Sequence, residues 1–194
     1  MRYINRNDLL IIARYLGILM VGIGFMCLVP IIIDLIYFEA NATSYLVPAL
    51  ISLLLGLLIY KSLDKYEISK LRLKHAMVVS SLAWMWAGLV CGVILFLVTH
   101  ISIIDAVFES ISALTGSGIT IYGDVEALPY SVLFFRGFQQ WIGGLGVVVM
   151  IISVLAKPGS VSSKLYISEA REDRLKPSTK ATLKRTILIY VIYT

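Results

Sequence analysis

The stretch Ser102-Ile103-Ile104-Asp105-Ala106-Val107-Phe108-Glu109-Ser110-Ile111-Ser112-Ala113-Leu114-Thr115-Gly116-Ser117-Gly118-Ile119-Thr120-Ile121-Tyr122-Gly123 starts as a helix and ends as something else. Ser102 and Asp105 have the spacing of a capping box, which predicts a helix over residues 103–114. At about 1.5 Å per residue it is about 18 Å long, roughly half of a bilayer's hydrocarbon core. Thr115 to Thr120 then carries two glycines among hydroxyl residues, a composition suited to an extended or twisted backbone. From Ser110 to Gly123 there are 14 uncharged residues, too few and too polar to cross a membrane.

The flanking sequence is of a different kind. Uncharged runs of 19, 21, 29 and 20 residues cover Tyr15–Ile33, Ala40–Tyr60, Ala76–Ile104 and Gly137–Ala156. Each is long enough to cross about 30 Å of hydrocarbon as a helix. The 194 residues are 59% hydrophobic and 15% charged, with a mean hydropathy of +0.88. A soluble domain has roughly 45–50% apolar and 25% charged residues, so both a soluble globular protein and a disordered chain are excluded. The first run follows Arg2 and Arg6, but it exceeds a signal-peptide core and lacks a small-x-small cleavage site, so it reads as a retained helix. A fifth apolar run opens at Thr186 and reaches only Thr194, so the sequence is expected to end inside a larger protein. Cys27 and Cys91 lie within apolar runs without metal-ligand spacing and read as membrane-buried thiols.

Charge sets the expected orientation. Of 17 Lys and Arg residues, two, Arg2 and Arg6, precede the first helix, Arg14 lies in its first turns, five lie in Lys61–Lys74 and eight in Lys157–Arg185, leaving Arg136 alone on the opposite face. If each long run crosses once, these segments share one face, and the positive-inside rule makes it the cytoplasmic one. The N-terminus is then cytoplasmic and the chain a multi-pass protein of the cytoplasmic membrane. The net charge of +5 is a topology signal, and nucleic acid is not an expected partner. The outer face carries Asp34, Glu39, Asp105, Glu109, Asp124 and Glu126, an acidic mouth that would attract cations.

With this topology the half-helix enters from outside, points to the membrane centre, and its turn must climb back out. Irregular backbone at that depth must line water or protein, because unpaired peptide groups in hydrocarbon cost several kcal/mol each. The backbone oxygens of Thr115, Gly116, Ser117, Gly118 and Ile119, with the hydroxyl of Thr120 nearby, could replace the hydration shell of a cation. The carboxy-terminal end of the half-helix adds partial negative charge there. A glycine-rich loop packed between helices would have the same composition. Asp105 and Glu109 are candidate pore-mouth groups, or alternatively a helix cap and a partner for Arg136. Gly143 and Gly144, in Gln139-Gln140-Trp141-Ile142-Gly143-Gly144-Leu145-Gly146, let a neighbouring backbone approach closely, the turn being one candidate neighbour. An enzyme with Ser117 as nucleophile would need a base within reach. His75 and His100 sit at opposite ends of the third run, too far from mid-membrane, and no enzymatic activity or cofactor is expected.

Phe108-Glu109-Ser110, the Thr115–Thr120 turn with Gly118, Ala127-Leu128-Pro129, and Phe134-Phe135-Arg136 to Trp141-Ile142-Gly143-Gly144 resemble the first pore repeat of the Trk/Ktr/HKT family of potassium transporters. Glu169-Ala170 and Asp173-Arg174-Leu175-Lys176-Pro177 look like the linker before that family's second repeat. The resemblance implies an all-α integral membrane fold, here truncated, with a two-helix hairpin before one helix–re-entrant pore helix/filter–helix repeat of a pseudo-fourfold pore. Its divisions would be 1–75 (hairpin and cytoplasmic loop), 76–156 (repeat, with helix 76–100, pore helix 103–114, filter 115–120 and helix 137–156), 157–185 (linker) and 186–194 (next helix). It further implies potassium uptake, with K⁺ at Thr115, Gly116, Ser117 and Gly118, the last at the filter-glycine position. The implied partners are the lipid membrane, the remaining repeats, a second copy in a homodimer and a cytosolic nucleotide-binding regulatory subunit. The family usually has Thr before the filter glycine, where this chain has Gly116 and Ser117. A sodium-permeable or sodium-coupled transporter, or a structural subunit that moves no ion, are the other readings.

Overall fold

A computed structural model describes residues 5–63, 73–155 and 179–193. The described residues are helical apart from short connections, with α1 Arg6–Leu28, α2 Pro30–Tyr37, α3 Ala42–Ser62, α4 Leu73–Thr99, α5 Ile103–Thr115, α6 Tyr130–Leu155 and α7 Thr179–Tyr193. Residues 1–140 and 141–194 form two compact units. Among the described residues three stretches, Arg6–Tyr37, Ala42–Ser62 and Lys74–Thr99, are long and apolar enough to cross a membrane.

The first stretch begins nine residues before the uncharged run at Tyr15, because Asp8 and Arg14 are accommodated by partners. The Asn5 N–H donates to Asp8 Oδ2 at 3.3 Å across the first turn. Asp8 also accepts from Lys74 Nζ at 2.6 Å and faces His75 Nε2 at 2.7 Å. Arg14 lies over the Tyr60 ring, 5.2 Å from its centroid. Pro30 at the start of α2 divides this stretch, as expected of a residue without a backbone N–H.

Contacts fix the directions of the helices. Ser52 Oγ donates to Met20 O at 2.8 Å. A Cβ added at Gly17 would lie 2.9 Å from Gly56 O, and one at Gly24 2.6 Å from Leu53 Cγ. Residues rising along α1 thus meet residues falling along α3, so the two form an antiparallel hairpin. By contrast, Asp8 meets Lys74 and His75 while Cys27 Sγ lies 3.9 Å from Cys91 Sγ, so α1 and α4 are parallel. The amino ends of α1 and α4 therefore share one end of the first unit. The two thiols are free and buried.

The helix expected from residue 137, α6, starts earlier. Its first turn begins at Tyr130 after Pro129, and Glu39 reaches over from the α2–α3 connection to cap it. The Tyr130 and Ser131 N–H groups donate to the two Glu39 carboxylate oxygens, satisfying two of the donors that every helix start leaves open. Tyr45 donates to Ser131 Oγ at 2.9 Å, and the Tyr37 and Tyr130 rings stack with centroids 4.3 Å apart. In the second unit, Tyr190 of α7 donates to Trp141 O at 2.9 Å. α7 also begins before the predicted Thr186. The stretch from Ala156 to Ser178, with the linker motif Glu169-Ala170 and Asp173 to Pro177, lies outside the described residues, as does 64–72 of the basic loop.

Candidate functional site

The half-helix is α5. Its cap forms as the spacing predicts, with the Asp105 N–H donating to Ser102 Oγ at 3.2 Å and Ser102 Oγ donating to Asp105 Oδ2 at 2.8 Å. The structure thus ties Asp105 into the cap. α5 runs back along α4, because a Cβ at Gly92 would press Val107 and one at Gly88 would press Ile111. Further along, Tyr122 Oη lies 3.1 Å from Thr99 Oγ1, at the far end of α4. The chain has therefore descended to at least the level of Gly88 and returned to that of Thr99. Those levels are roughly 16 Å apart along the α4 axis at about 1.5 Å per residue. The segment re-enters the bundle without crossing it.

The descent stops at a glycine cap. Gly116 has φ +74, its N–H donates to Ala113 O at 3.0 Å, and the Ser117 N–H donates to Ser112 O at 3.2 Å. This pair of bonds is the Schellman closure, which requires a left-handed residue where glycine carries no Cβ penalty. Gly118 is left-handed as well, with φ +69. Thr115 Oγ1 donates to Ile111 O at 2.8 Å, so its side chain is directed at its own helix. Residues 115–121 are exposed. Among the described residues no hydrogen bond is made to the carbonyl oxygens of Thr115, Gly116, Ser117 or Gly118. Ile119 differs, since its carbonyl accepts from Ser112 Oγ at 2.5 Å.

Buried charge holds the ascending limb. Glu109 is fully buried and forms an ion pair with Arg136 of α6. Its Oε2 accepts from Thr120 Oγ1 and from the Ile121 N–H, both at 3.1 Å. The Arg136 guanidinium also lies over the Tyr122 ring, 5.6 Å from its centroid. One carboxylate therefore joins the half-helix, the limb after the turn and the next helix. Next to it, Ser110 Oγ donates to Gln139 Oε1 at 3.1 Å, both residues being fully buried.

Several expected roles shift. The acidic mouth is largely consumed in bonding: Asp34 is buried and accepts from the Asn41 N–H, Glu39 caps α6, Asp105 caps α5 and Glu109 pairs with Arg136. Of the six carboxylates only Asp124 and Glu126 are exposed, and Asp124 accepts from the Glu126 and Ala127 N–H groups. Gly144 makes room for Tyr190, whose Oη would be 2.6 Å from a Cβ there, and Gly143 is buried. The residue beside the turn is Gln140, whose Nε2 would be 3.4 Å from a Cβ at Gly118. Ser117 Oγ bonds to Ser112, at 3.0 Å from its hydroxyl and 3.2 Å from its carbonyl, and not to an imidazole. Ser112 and Tyr122 carry much of this geometry and had no sequence signal beyond their place beside the glycines.

Residues 48–194 match the family described as TrkH, cation transport protein. The chain belongs to the TrkH family. An uncharacterized cation transporter of Methanocaldococcus jannaschii is 40% identical over 192 residues, covering 98% of this chain and 40% of the relative. The Trk system potassium uptake protein TrkH of Halomonas elongata is 30% identical over 193 residues, covering 96% of this chain and 40% of the relative. The crystal structure of the potassium transporter TrkH from Vibrio parahaemolyticus superposes with a TM-score of 0.77 at 25% identity, covering 94% of this chain and 37% of that one. This TrkH-family chain thus has a multi-pass, all-α membrane fold and spans about 40% of the length of the curated relatives it matches. Those relatives are named as ion transporters, not as enzymes.

Proposed function

We propose that the segment supplies one of several repeats around a potassium-conducting pore in the cytoplasmic membrane, and that the Thr115–Gly118 carbonyls are its share of the selectivity filter. The observation that carries this reading is the exposed turn between two left-handed glycines, whose carbonyls no described residue engages. A cation dehydrates only where fixed oxygen dipoles replace its water, and carbonyls not bound within the protein are the ones free to do so. The α5 carboxy terminus aims its partial negative charge toward the same place. Entry then runs down the membrane potential, about 2.3 kcal/mol per charge for each 100 mV. A cytoplasmic N-terminus is supported by the end that α1 and α4 share, where the basic residues Arg6 and Lys74 lie. Homodimerisation and a cytosolic nucleotide-binding subunit belong to the same proposal, on the strength of the family resemblance.

The test is flux through the full-length protein that contains this chain, reconstituted in vesicles. Gly118→Val places a β-branched residue at φ +69, a conformation that costs L-residues about 1–2 kcal/mol even when unbranched. Potassium-driven flux in the parent and its loss in a correctly inserted Gly118→Val protein are expected. Unchanged flux would refute the assignment of the turn, and absence of cation flux in the parent would favour a structural subunit. Gly116 and Ser117, where the family usually has Thr, make sodium the ion to run beside potassium.

A further inference from the structure

The serine at position 112 makes more bonds to the turn than any residue assigned above to hold it. The residue is 5% exposed, so water competes little for its hydroxyl. Its hydroxyl lies 3.0 Å from Ser117 Oγ and 2.5 Å from Ile119 O. Its carbonyl accepts from the Ser117 N–H and from Ser117 Oγ, both at 3.2 Å. A serine hydroxyl has one proton. A carbonyl can only accept, so the Ser112 proton is donated to Ile119 O, and the Ser117 proton is shared between the Ser112 carbonyl and hydroxyl. Proton donation therefore runs in one direction, from Ser117 through Ser112 to Ile119. The chain bridges both sides of Gly118, the residue with φ +69.

We propose that Ser112 is a specificity-determining positioning residue, which draws the Ile119 carbonyl back toward α5 and so limits the oxygens this repeat offers a cation to those before residue 119. This deepens the transport reading above and rests on it. A carbonyl held by a hydroxyl donates less of its electron density to an ion and cannot close around a smaller one. A freed carbonyl at an exposed position swings and adapts, and adaptable oxygens discriminate less between potassium and sodium. Glu109 acts separately, since it holds Thr120 and Ile121 on the far side of that carbonyl.

The experiment compares potassium and sodium flux in vesicles for the full-length protein and its Ser112→Ala and Ser112→Thr variants. Ser112→Ala is expected to lower the potassium-to-sodium ratio about three- to tenfold, the range one hydrogen bond sets, while Ser112→Thr, which keeps the hydroxyl, stays near the parent. An unaltered ratio in a transporting Ser112→Ala protein overturns the proposal, as does an equal shift in Ser112→Thr, which would make the effect one of packing. Should Ser112→Ala not fold, Ser112→Cys, whose thiol is only a weak donor, tests the same bond to the Ile119 carbonyl and is expected to shift the ratio in the same direction; an unaltered ratio there overturns the proposal. A parent that carries neither ion overturns the transport reading, and this inference with it. A parent that carries both without responding to either variant overturns the inference alone.

Discussion

The α1–α3 hairpin and the re-entrant segment solve opposite problems with the same chain. Within the hairpin most peptide groups are closed inside their own helix, Pro48 being the interruption in α3, so the two helices need mainly to fit each other. Glycine provides the fit: a Cβ on Gly56 would lie 2.6 Å from Gly17 O, which is backbone meeting backbone. Polar bonds there include Ser52 Oγ donating to Met20 O, with Trp86 Nε1 of α4 donating in turn to Ser52 Oγ. In the re-entrant segment the backbone after residue 116 is open, and side chains do what helical hydrogen bonds do elsewhere. Glu109, Ser112, Thr120 and Arg136 hold it through buried polar contacts. Shape suffices where the backbone is self-satisfied, whereas charge and hydroxyls are needed where it leaves the helix and stays open.

Breaking the Glu109–Arg136 pair should separate the two regions most sharply. Glu109→Gln leaves Arg136 without its counter-charge and is expected to cost about 3–5 kcal/mol, as removing one partner of a buried pair does. Replacing Arg136 with Met in the same protein should recover a substantial part of it. Thermal unfolding of the purified full-length protein reads both, and a Glu109→Gln protein as stable as the parent would erase the contrast. A smaller effect is expected in the hairpin, where Gly56→Ala forces α1 and α3 apart at a cost of about 1–3 kcal/mol. Its potassium-to-sodium ratio should equal the parent's, because packing there does not touch the turn; a shifted ratio would join the two regions. Smallest is Ser102→Ala, the loss of one helix cap, at about 1 kcal/mol on the same unfolding curve.

How much of this was legible depended on the kind of force at each place. The α5 helix was readable to within a residue, because Ser102, Asp105 and Gly116 are local signals that act on their own neighbours. The start of α6 was not. A charge count ends the uncharged run at Arg136, yet the helix continues back to Tyr130 because Glu109 neutralises that charge from another helix. Charge counting also overstated the acidic mouth, since a sequence shows that Glu39 is acidic but not that it caps a helix some ninety residues later. Gly144 taught the same lesson. Its small size signalled a close approach, but the partner, Tyr190, lies in a different part of the sequence. Ser112 was invisible because serine inside a half-helix has no distinguishing pattern.

The central claim, that the turn lies part-way into the membrane and faces a water-filled cation path, is tested most directly by a single cysteine. Ile119 is 62% exposed, whereas Cys27 and Cys91 are fully buried and serve as an unreactive internal control. In the full-length protein, Ile119→Cys should react with a membrane-impermeant thiol reagent added from outside. Potassium should slow that reaction several-fold, and a large organic cation at equal ionic strength should not. A cysteine there that reacts at the same rate with and without potassium, as a loop above the membrane would, contradicts the account.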